Sequence, residues 1–460
     1  MSAPREGRAV SRNAATLVSP EMVLLAVVEF LLASLAFYVL LLPGEHAADQ
    51  IGFHLPTLRH AMILATAISF TSLAIGMYRP EICLQTRRLL VNTVVAGLLA
   101  FPAVLVVSLI SDIDVSFLFG QDAFWPMKIF LTWIMLLFGT RLAFRAALRL
   151  GLLSRNIVIV GSAHQAARTE QAIGSMRKGF FAVRNILAAD PANLVPATLR
   201  RQRVWAIVLT PDARPRLPLP NLLAVKAAGV RVYGDVEFRE QQLRRMDLEQ
   251  IPGDWLLYAD ALSCGRIESA LRRIGEIFIS LLLLLVTLPV LALAALAIRL
   301  DSPGPVLYRQ DRVGLGGRTF TLLKMRSMRM DAEAKGPAWA AKQDPRVTRV
   351  GAFLRRTRID ELPQLINVLR GEMGFVGPRP ERPHFVEQLS EVIPFYRDRM
   401  YVKPGVTGWA QVNYPYGASI EDARQKLSYD LYYVKHRRLL LDALIILATV
   451  RVILFQEGSR

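Results

Sequence analysis

Two acids, Asp360 and Glu361, stand side by side in "RRTRIDELPQLINVLRGEM" (Arg355–Met373), behind Arg355, Arg356 and Arg358 and just ahead of Pro363. A carboxylate beside several arginines stays ionised near neutral pH. It can then attack phosphorus and form an acyl phosphate. A neighbouring carboxylate can hold Mg²⁺, which binds through one or two acids plus substrate phosphates. Arginines neutralise the charge spread over phosphate oxygens. A plainer alternative uses the same residues. Pro363 suits the first turn of a helix whose Leu362, Leu365, Ile366, Leu369 and Met373 share one face. Asp360 would then stand at or beside the N-cap, at the positive end of the helix dipole, which also favours a bound phosphate.

Other charged motifs cluster nearby. "LLKMRSMRMDAE" places Lys324, Arg326 and Arg329 close together, and "VGPRPERP" fixes Arg379 between two prolines. An arginine on a proline-stiffened loop loses little entropy when it clamps a phosphate. "YVKPGVTGWAQVN" combines a cation, glycine turns, an aromatic and two amides, and "DSPGPVLYRQDRVG" is turn-rich.

These motifs need a scaffold, and the composition points to a membrane. Of 460 residues, 53% are hydrophobic, and the mean hydropathy is +0.32. Four apolar stretches, Met22–Leu42, Ala61–Met77, Leu90–Ile110 and Phe124–Leu142, are each about the ~20 residues that cross a bilayer as a helix. The first is too long for a cleavable signal peptide. Arg5, Arg8 and Arg12, then Arg79, Arg87 and Arg88, then Arg141, Arg145, Arg149 and Arg155 flank alternate ends, while Glu45, Asp49, Asp112, Asp114 and Asp122 mark the other two loops. By the positive-inside rule, the N-terminus and everything after residue 150 are cytoplasmic, which predicts a multi-pass membrane protein. Glu29 lies within the first span, either as a polar site or as an acid facing the bundle. Lys+Arg outnumber Asp+Glu by 56 to 38, giving +18. The excess sits beside apolar runs, which favours anionic lipid or phosphorylated substrate over nucleic acid. Cys83 and Cys264 lie too far apart in sequence for a disulfide framework or a Cys-based zinc site.

The segment "NIVIVGSAHQAARTEQAI" reads as a buried strand at Ile157–Val160, a tight turn at Gly161–Ala163 and a helix from Gln165. Val204–Pro211 and Gly229–Tyr233 read as further strands, so 151–262 is a Rossmann-like α/β domain. Ala163 and Ala166 replace the second and third glycines of the dinucleotide fingerprint, and Asp190 comes too late for its acid. Ile274–Ile298 is apolar, flanked by Arg272, Arg273 and Arg299, with Pro289 near its middle. A helix that enters, breaks at Pro289 and returns keeps both basic ends on one face. Leu439–Phe455, interrupted by Asp442 and Arg451 on opposite faces, predicts an interfacial helix.

From about Arg266 onward, the chain resembles the bacterial polyprenyl-phosphate sugar-1-phosphate transferases, the monotopic phosphoglycosyl transferases. The matching stretches are "DSPGPVLYRQDRVG", "LLKMRSM", "DPRVTRVGAFLRRTRIDELPQLINVLRGEM", "VGPRPERP" and "VKPGVTGWAQVN". Four spans followed by a Rossmann-like domain resemble the long, undecaprenyl-phosphate glucose phosphotransferase-like members, which start exopolysaccharide or O-antigen repeat units. The resemblance implies that Asp360 attacks the β-phosphate of a UDP-sugar and releases UMP. Undecaprenyl phosphate would then take the phosphosugar from the aspartate. Glu361, beside Asp360, would hold Mg²⁺, and Lys324, Arg326, Arg358 and Arg379 would bind substrate phosphates. It further implies glucose or galactose as the sugar, with glucose favoured, and self-association through the N-terminal bundle. Two departures stand out: Glu276 where members carry aspartate, and "TLP" (Thr287–Pro289) where they carry serine–proline.

The expected architecture is therefore a membrane protein of α plus α/β class. Residues 1–150 form a four-helix transmembrane bundle, 151–262 a Rossmann-like cytoplasmic domain, and 263–460 a catalytic domain with a re-entrant helix. Two rival readings remain: an NAD-dependent enzyme acting on nucleotide sugars through the middle domain, and a non-catalytic membrane scaffold.

Overall fold

The computed structural model describes residues 20–42, 55–78, 86–111, 124–176, 180–259, 262, 265–332, 344–414, 417 and 419–454. Arg5, Arg8, Arg12, Arg79, Glu45, Asp49, Asp112, Asp114, Asp122, Cys83 and Cys264 lie outside them, as do the side chains of Arg87, Arg88 and Arg451. The chain divides into two compact units, Met1–Asp235 and Val236–Arg460.

Among the described residues, the first unit opens with four helices: α1 (Pro20–Leu41), α2 (Leu55–Ala74), α3 (Thr86–Ser111) and α4 (Trp125–Arg149). Each expected apolar stretch is thus helical. By length and hydropathy, Glu21–Leu41 and Pro126–Arg149 are sufficient to cross a membrane, and 89–104 forms a shorter apolar helix. Arg141, counted from sequence among the loop cations, instead lies inside α4 and is only 1% exposed. Its Nη2 donates to Glu29 Oε2 at 3.1 Å, and Thr140 donates to Glu29 Oε1 at 2.8 Å. Tyr78 stacks on the guanidinium. Glu29 is therefore an acid facing its neighbouring helices, paired as a buried charge must be.

Four strands follow: β1 (Arg155–Val160), β2 (Phe181–Leu187), β3 (Val204–Leu209) and β4 (Arg231–Gly234). All pair in parallel in the order β2-β1-β3-β4. Parallel neighbours need crossovers, here α5 (Ala163–Met176), α6 (Pro196–Arg201) and α7 (Leu219–Ala227). The central β1 and β3 are apolar runs buried nearly throughout. The edge strand β2 is mostly half-buried or exposed, so its "FAVRNIL" carries no clean period, and the sequence analysis missed it. Gly161, at the end of β1, leaves no room for a Cβ against Thr210. The next amide, Ser162 N, donates to Asp212 Oδ2 at 3.0 Å. A dinucleotide's pyrophosphate would need that amide; here the chain's own carboxylate holds it.

The second unit begins with α8 (Asp235–Leu243) at its boundary. Glu240 pairs with Lys435 and His436, Trp255 donates to Asp398, and Trp409 donates to Arg244 O. Residues 236–262, grouped from sequence with the α/β domain, thus make these contacts with the C-terminal unit. α9 (Arg266–Asp301) then runs 36 residues with Pro289 inside it. The expected break is absent from the helix, although Pro289 still removes one backbone donor. Thr287 Oγ1 donates to Leu283 O at 2.6 Å, a side-chain bond of the kind that bends helices. Buried positions occur near both ends of α9, at Glu276 and Ser280 and again at Ala294 and Ile298. None occurs between residues 281 and 293.

The rest is compact. β5 (Leu307–Val313) and β6 (Thr319–Met325) form an antiparallel pair. α10 (Arg349–Thr357), α11 (Gln364–Arg370), β7 (Gly374–Val376), α12 (Pro383–Val392), β8 (Gly405–Thr407), α13 (Trp409–Asn413), α14 (Ile420–Lys435) and α15 (Leu439–Leu454) complete it. β7 and β8 pair in parallel. Ala294 and Ile298 of α9 pack with Met325 and Leu354, while Leu322 packs with Val368 and Met373.

Candidate active site

α10 starts at Thr348, whose side chain accepts from Gly351 N. Gly351 sits against the Ser327 backbone with no space for a Cβ, and Arg355 Nε donates to Ser327 Oγ at 2.9 Å. The helix ends at Arg358, which takes the left-handed conformation (φ 60°, ψ 13°). A non-glycine residue is disfavoured there by roughly 1–2 kcal/mol, which the surrounding packing must offset. The reversal places Asp360 and Glu361 in a 3₁₀ turn, Ile359–Glu361.

The capping reading does not hold. α11 starts at Gln364, its N-cap is Pro363, and no side chain caps it. With seven residues, it also offers little dipole to a phosphate. The two acids have other tasks. Asp360 is 6% exposed, and its Oδ1 is buried with no hydrogen-bond partner among the described residues. Glu361 Oε1 collects three cations: Arg379 Nη2 at 3.0 Å, Lys324 Nζ at 3.2 Å and Arg358 Nη1 at 3.8 Å.

The electrostatics corrects the expectation that the arginines hold Asp360 fully ionised. Burial, then the adjacent Glu361 charge, raise Asp360 to about 6, against the opposing pull of Lys324, Arg355 and Arg358. Burial also pushes Glu361 up, but Lys324, Arg379 and Arg358 outweigh it and hold it far below the usual carboxylate range. Environment thus separates two adjacent acids: one permanently charged, the other a more basic carboxylate that is still mostly ionised at neutral pH.

Each cation is positioned by its own framework. Lys324 lies on β6 opposite Tyr308. The fully buried Asn367 clasps that strand, accepting from Leu323 N and donating to Thr321 O. Arg379 sits on a loop whose successive carbonyls each receive a donor. Gly405 N reaches Pro378 O, Arg399 reaches Arg379 O, Arg312 reaches Pro380 O and Val313 N reaches Glu381 O. Gly377, Gly405 and Gly408 meet backbone to backbone with no room for side chains, which is why "VGPRPERP" and "VKPGVTGW" need their glycines. Arg399 is itself buried and paired with Asp430 at 2.8 Å. Burial, with Arg379 and Arg382 nearby and Glu381 opposing, lowers Arg312 to about 10, so it remains a cation.

Arg326, expected to bind phosphate, has a different task. Its guanidinium donates to Pro303 O and Ser302 O at 2.6 Å each and to Ile298 O at 3.3 Å. It ties down the end of α9. Asn367, Arg399, Asp430 and Arg312 were missed because nothing local marks them; their partners come from distant segments.

Among the described residues, no three His, Cys, Asp or Glu side chains gather as a metal cage. Mg²⁺ does not require one, since substrate phosphates and water complete its shell. The unpartnered Asp360 Oδ1 beside Glu361, whose three cations all converge on Oε1, fits one such ion.

An acid pair of which Asp360 is buried, set among three cations and carried on a unit with a helix long and apolar enough to cross a membrane, suits a class of membrane-associated proteins that handle phosphate. Comparison with known proteins narrows it. Residues 267–456 match the family model described as bacterial sugar transferase. An exopolysaccharide production protein of Rhizobium leguminosarum bv. phaseoli is 44% identical over 193 residues, 40% of this chain and 95% of that protein. A UDP-N-acetylgalactosamine-undecaprenyl-phosphate N-acetylgalactosaminephosphotransferase of Aeromonas hydrophila is 45% identical over 233 residues, 51% of this chain and 54% of the relative. A UDP-glucose:undecaprenyl-phosphate glucose-1-phosphate transferase of Escherichia coli (strain K12) is 44% identical over 186 residues, 40% of each. The chain belongs to the bacterial sugar transferase family, and the match covers about half the length of the Aeromonas relative.

Proposed function

We propose that this protein transfers a sugar-1-phosphate from a UDP-sugar to undecaprenyl phosphate and so begins a polysaccharide repeat unit. The observation that carries this is the buried, unpartnered Asp360 Oδ1 beside a Glu361 held by Lys324, Arg358 and Arg379. Asp360 Oδ1 forms a bond to the β-phosphorus of the UDP-sugar. The bond from that phosphorus to the bridging oxygen breaks, and UMP leaves with the electron pair. An oxygen of undecaprenyl phosphate then attacks the same phosphorus, expels the Asp360 carboxylate and yields undecaprenyl-diphosphate-sugar. Arg379, Arg358 and Lys324 bind and neutralise the phosphates, and burial of Asp360 excludes competing water. Glu361 and Asp360 would hold Mg²⁺, which when bound offsets phosphate charge.

The membrane reading rests on α9. Its 13 positions without burial, 281–293, span roughly 20 Å at 1.5 Å per residue. That is short of the ~30 Å hydrocarbon core, while both ends of the helix pack on the same unit. A helix bent at Pro289 that dips into one leaflet accounts for both facts. We read α1–α4 as a four-helix transmembrane bundle of the inner membrane that supports self-association, and the parallel sheet as a cytoplasmic Rossmann-like domain.

The test is direct. Full-length protein with undecaprenyl phosphate, Mg²⁺ and a panel of UDP-glucose, UDP-galactose and UDP-N-acetylgalactosamine should release UMP from one donor in preference. Mass spectrometry of enzyme quenched in mid-turnover should find the phosphosugar on the peptide containing Asp360. Absence of UMP with every donor would overturn the activity; attachment elsewhere would overturn the nucleophile.

A further inference from the structure

Lys403, the cation of "YVKPGVTGWAQVN", takes no part in the acid-pair site. Its ammonium makes no hydrogen bond among the described residues. Lys403 Nζ and Arg273 Nη2 both flank Gly371, 3.7 and 3.6 Å from where a Cβ would stand. Arg273 and Arg437 are the two cations acting on Lys403, and Glu276 is the acid opposing them. Arg437 Nε is buried with no partner. Arg273 is committed to Val368 O and Leu369 O, at 2.6 and 2.7 Å. Lys403, Arg273 and Arg437 therefore outnumber the two carboxylates among them, Glu276 and Asp442, the second of which is also paired with Arg272, and among the described residues Lys403 and Arg437 Nε have hydrogen bonds to give.

The surroundings are apolar. Ile274 follows Arg273 and is 64% exposed, and Leu440, just beyond Arg437 at the start of α15, is 61% exposed. An open surface groove of about 540 Å³ is lined by Gly265, Ile267, Glu268, Leu271, Arg438 and Leu439, at the starts of α9 and α15. A free phosphate or a nucleotide would match the charge but leave this apolar surface bare. A lipid with a phosphate head matches both. The acceptor lipid is a poor occupant, because its phosphate must reach Asp360. Arg273 pins the far end of α11, a helix about 10 Å long that begins just after the acid pair.

We propose that Lys403 and Arg437, backed by Arg273, hold the phosphate of a resident anionic phospholipid whose chains lie along the exposed apolar flanks of α9 and α15. The lipid fixes the depth at which the two helices sit in the leaflet. This rests on the membrane reading of those helices and not on the identity of the nucleophile.

The test uses the full-length chain purified from membranes in mild detergent, without substrates. Native mass spectrometry counts retained phospholipid, and delipidated protein is then titrated with phosphatidylglycerol or phosphatidylcholine. Wild type should retain one phospholipid and prefer phosphatidylglycerol. Lys403→Gln and Arg437→Gln should each weaken retention, and the pair together by roughly tenfold. Arg370→Gln, an exposed cation on α11, and Asp360→Asn should both behave as wild type. Equal retention by wild type and both single variants would overturn the proposal. So would displacement by millimolar inorganic phosphate, which would make this a small-anion site. One-for-one displacement by undecaprenyl phosphate would also overturn it, by giving the site to the acceptor.

Discussion

Asp212 and Asp360 each stand in a tight turn, one in each unit. In the N-terminal unit, Asp212 accepts from Ser162 N at 3.0 Å through one oxygen and from Thr210 Oγ1 at 2.6 Å through the other. The Thr210 bond and the Ser162 amide lower its pKa. In the C-terminal unit, Asp360 has one oxygen with no partner, and burial raises its pKa. A carboxylate satisfied on both oxygens holds a loop. One that is buried, charged and unsatisfied destabilises the fold, and the proposed chemistry would account for its presence. The contrast also weakens the NAD-dependent reading, because Asp212 holds the amide that a pyrophosphate would need.

Four experiments would break or sharpen the contrast. Asp360→Asn should lower kcat by at least about 10³-fold, since the nucleophile is removed outright. The same variant should raise Tm at pH 8, where wild type carries the buried charge, and raise it less at pH 5. The sign follows from the shift: a carboxyl whose folded pKa is raised favours the fold below that pKa, and the advantage is lost as pH rises through about 6. If Asn lowers Tm equally at both values, Asp360 is structural like Asp212.

Arg399→Met should cost about 3–5 kcal/mol by leaving Asp430 buried and unpaired. In the surviving fold it should lower kcat by roughly tenfold, through misplacement of Arg379. Unchanged kcat would mean that the Arg379 loop holds its shape without Arg399.

Wild-type kcat/KM should fall about tenfold per pH unit well below 6, as Asp360 of the free enzyme is protonated, and level off above 7. A profile flat from pH 5 to 8 would rule out an essential group titrating near 6.

Asp212→Ala should leave turnover unchanged and lower stability by about 1 kcal/mol, the usual worth of a hydrogen bond. A large loss of turnover would give the first turn a role in the chemistry.

Much of this was legible in the sequence because it is local. Apolar runs marked α1–α4 and α9, and short patterns marked β1, β3 and β4. The proximity of Asp360, Glu361 and Arg358 follows from their lying within a single turn of chain. The edge strand β2 was not legible, since a half-exposed strand has no strict alternation. Nor was the fate of Arg326, whose basic character suits a phosphate and a helix end equally well.

The sequence by itself determined which residue types stand beside Asp360 and how much apolar chain there is to bury in a membrane. Chemistry and hydropathy belong to residues before any fold exists. Only the tertiary structure decided which acid the cations serve. Lys324, Arg358 and Arg379 converge on Glu361, and burial then falls on Asp360. A pKa depends on which charges and how much water lie within a few ångströms, and two of those distances reach Glu361 from residues 37 and 18 positions away.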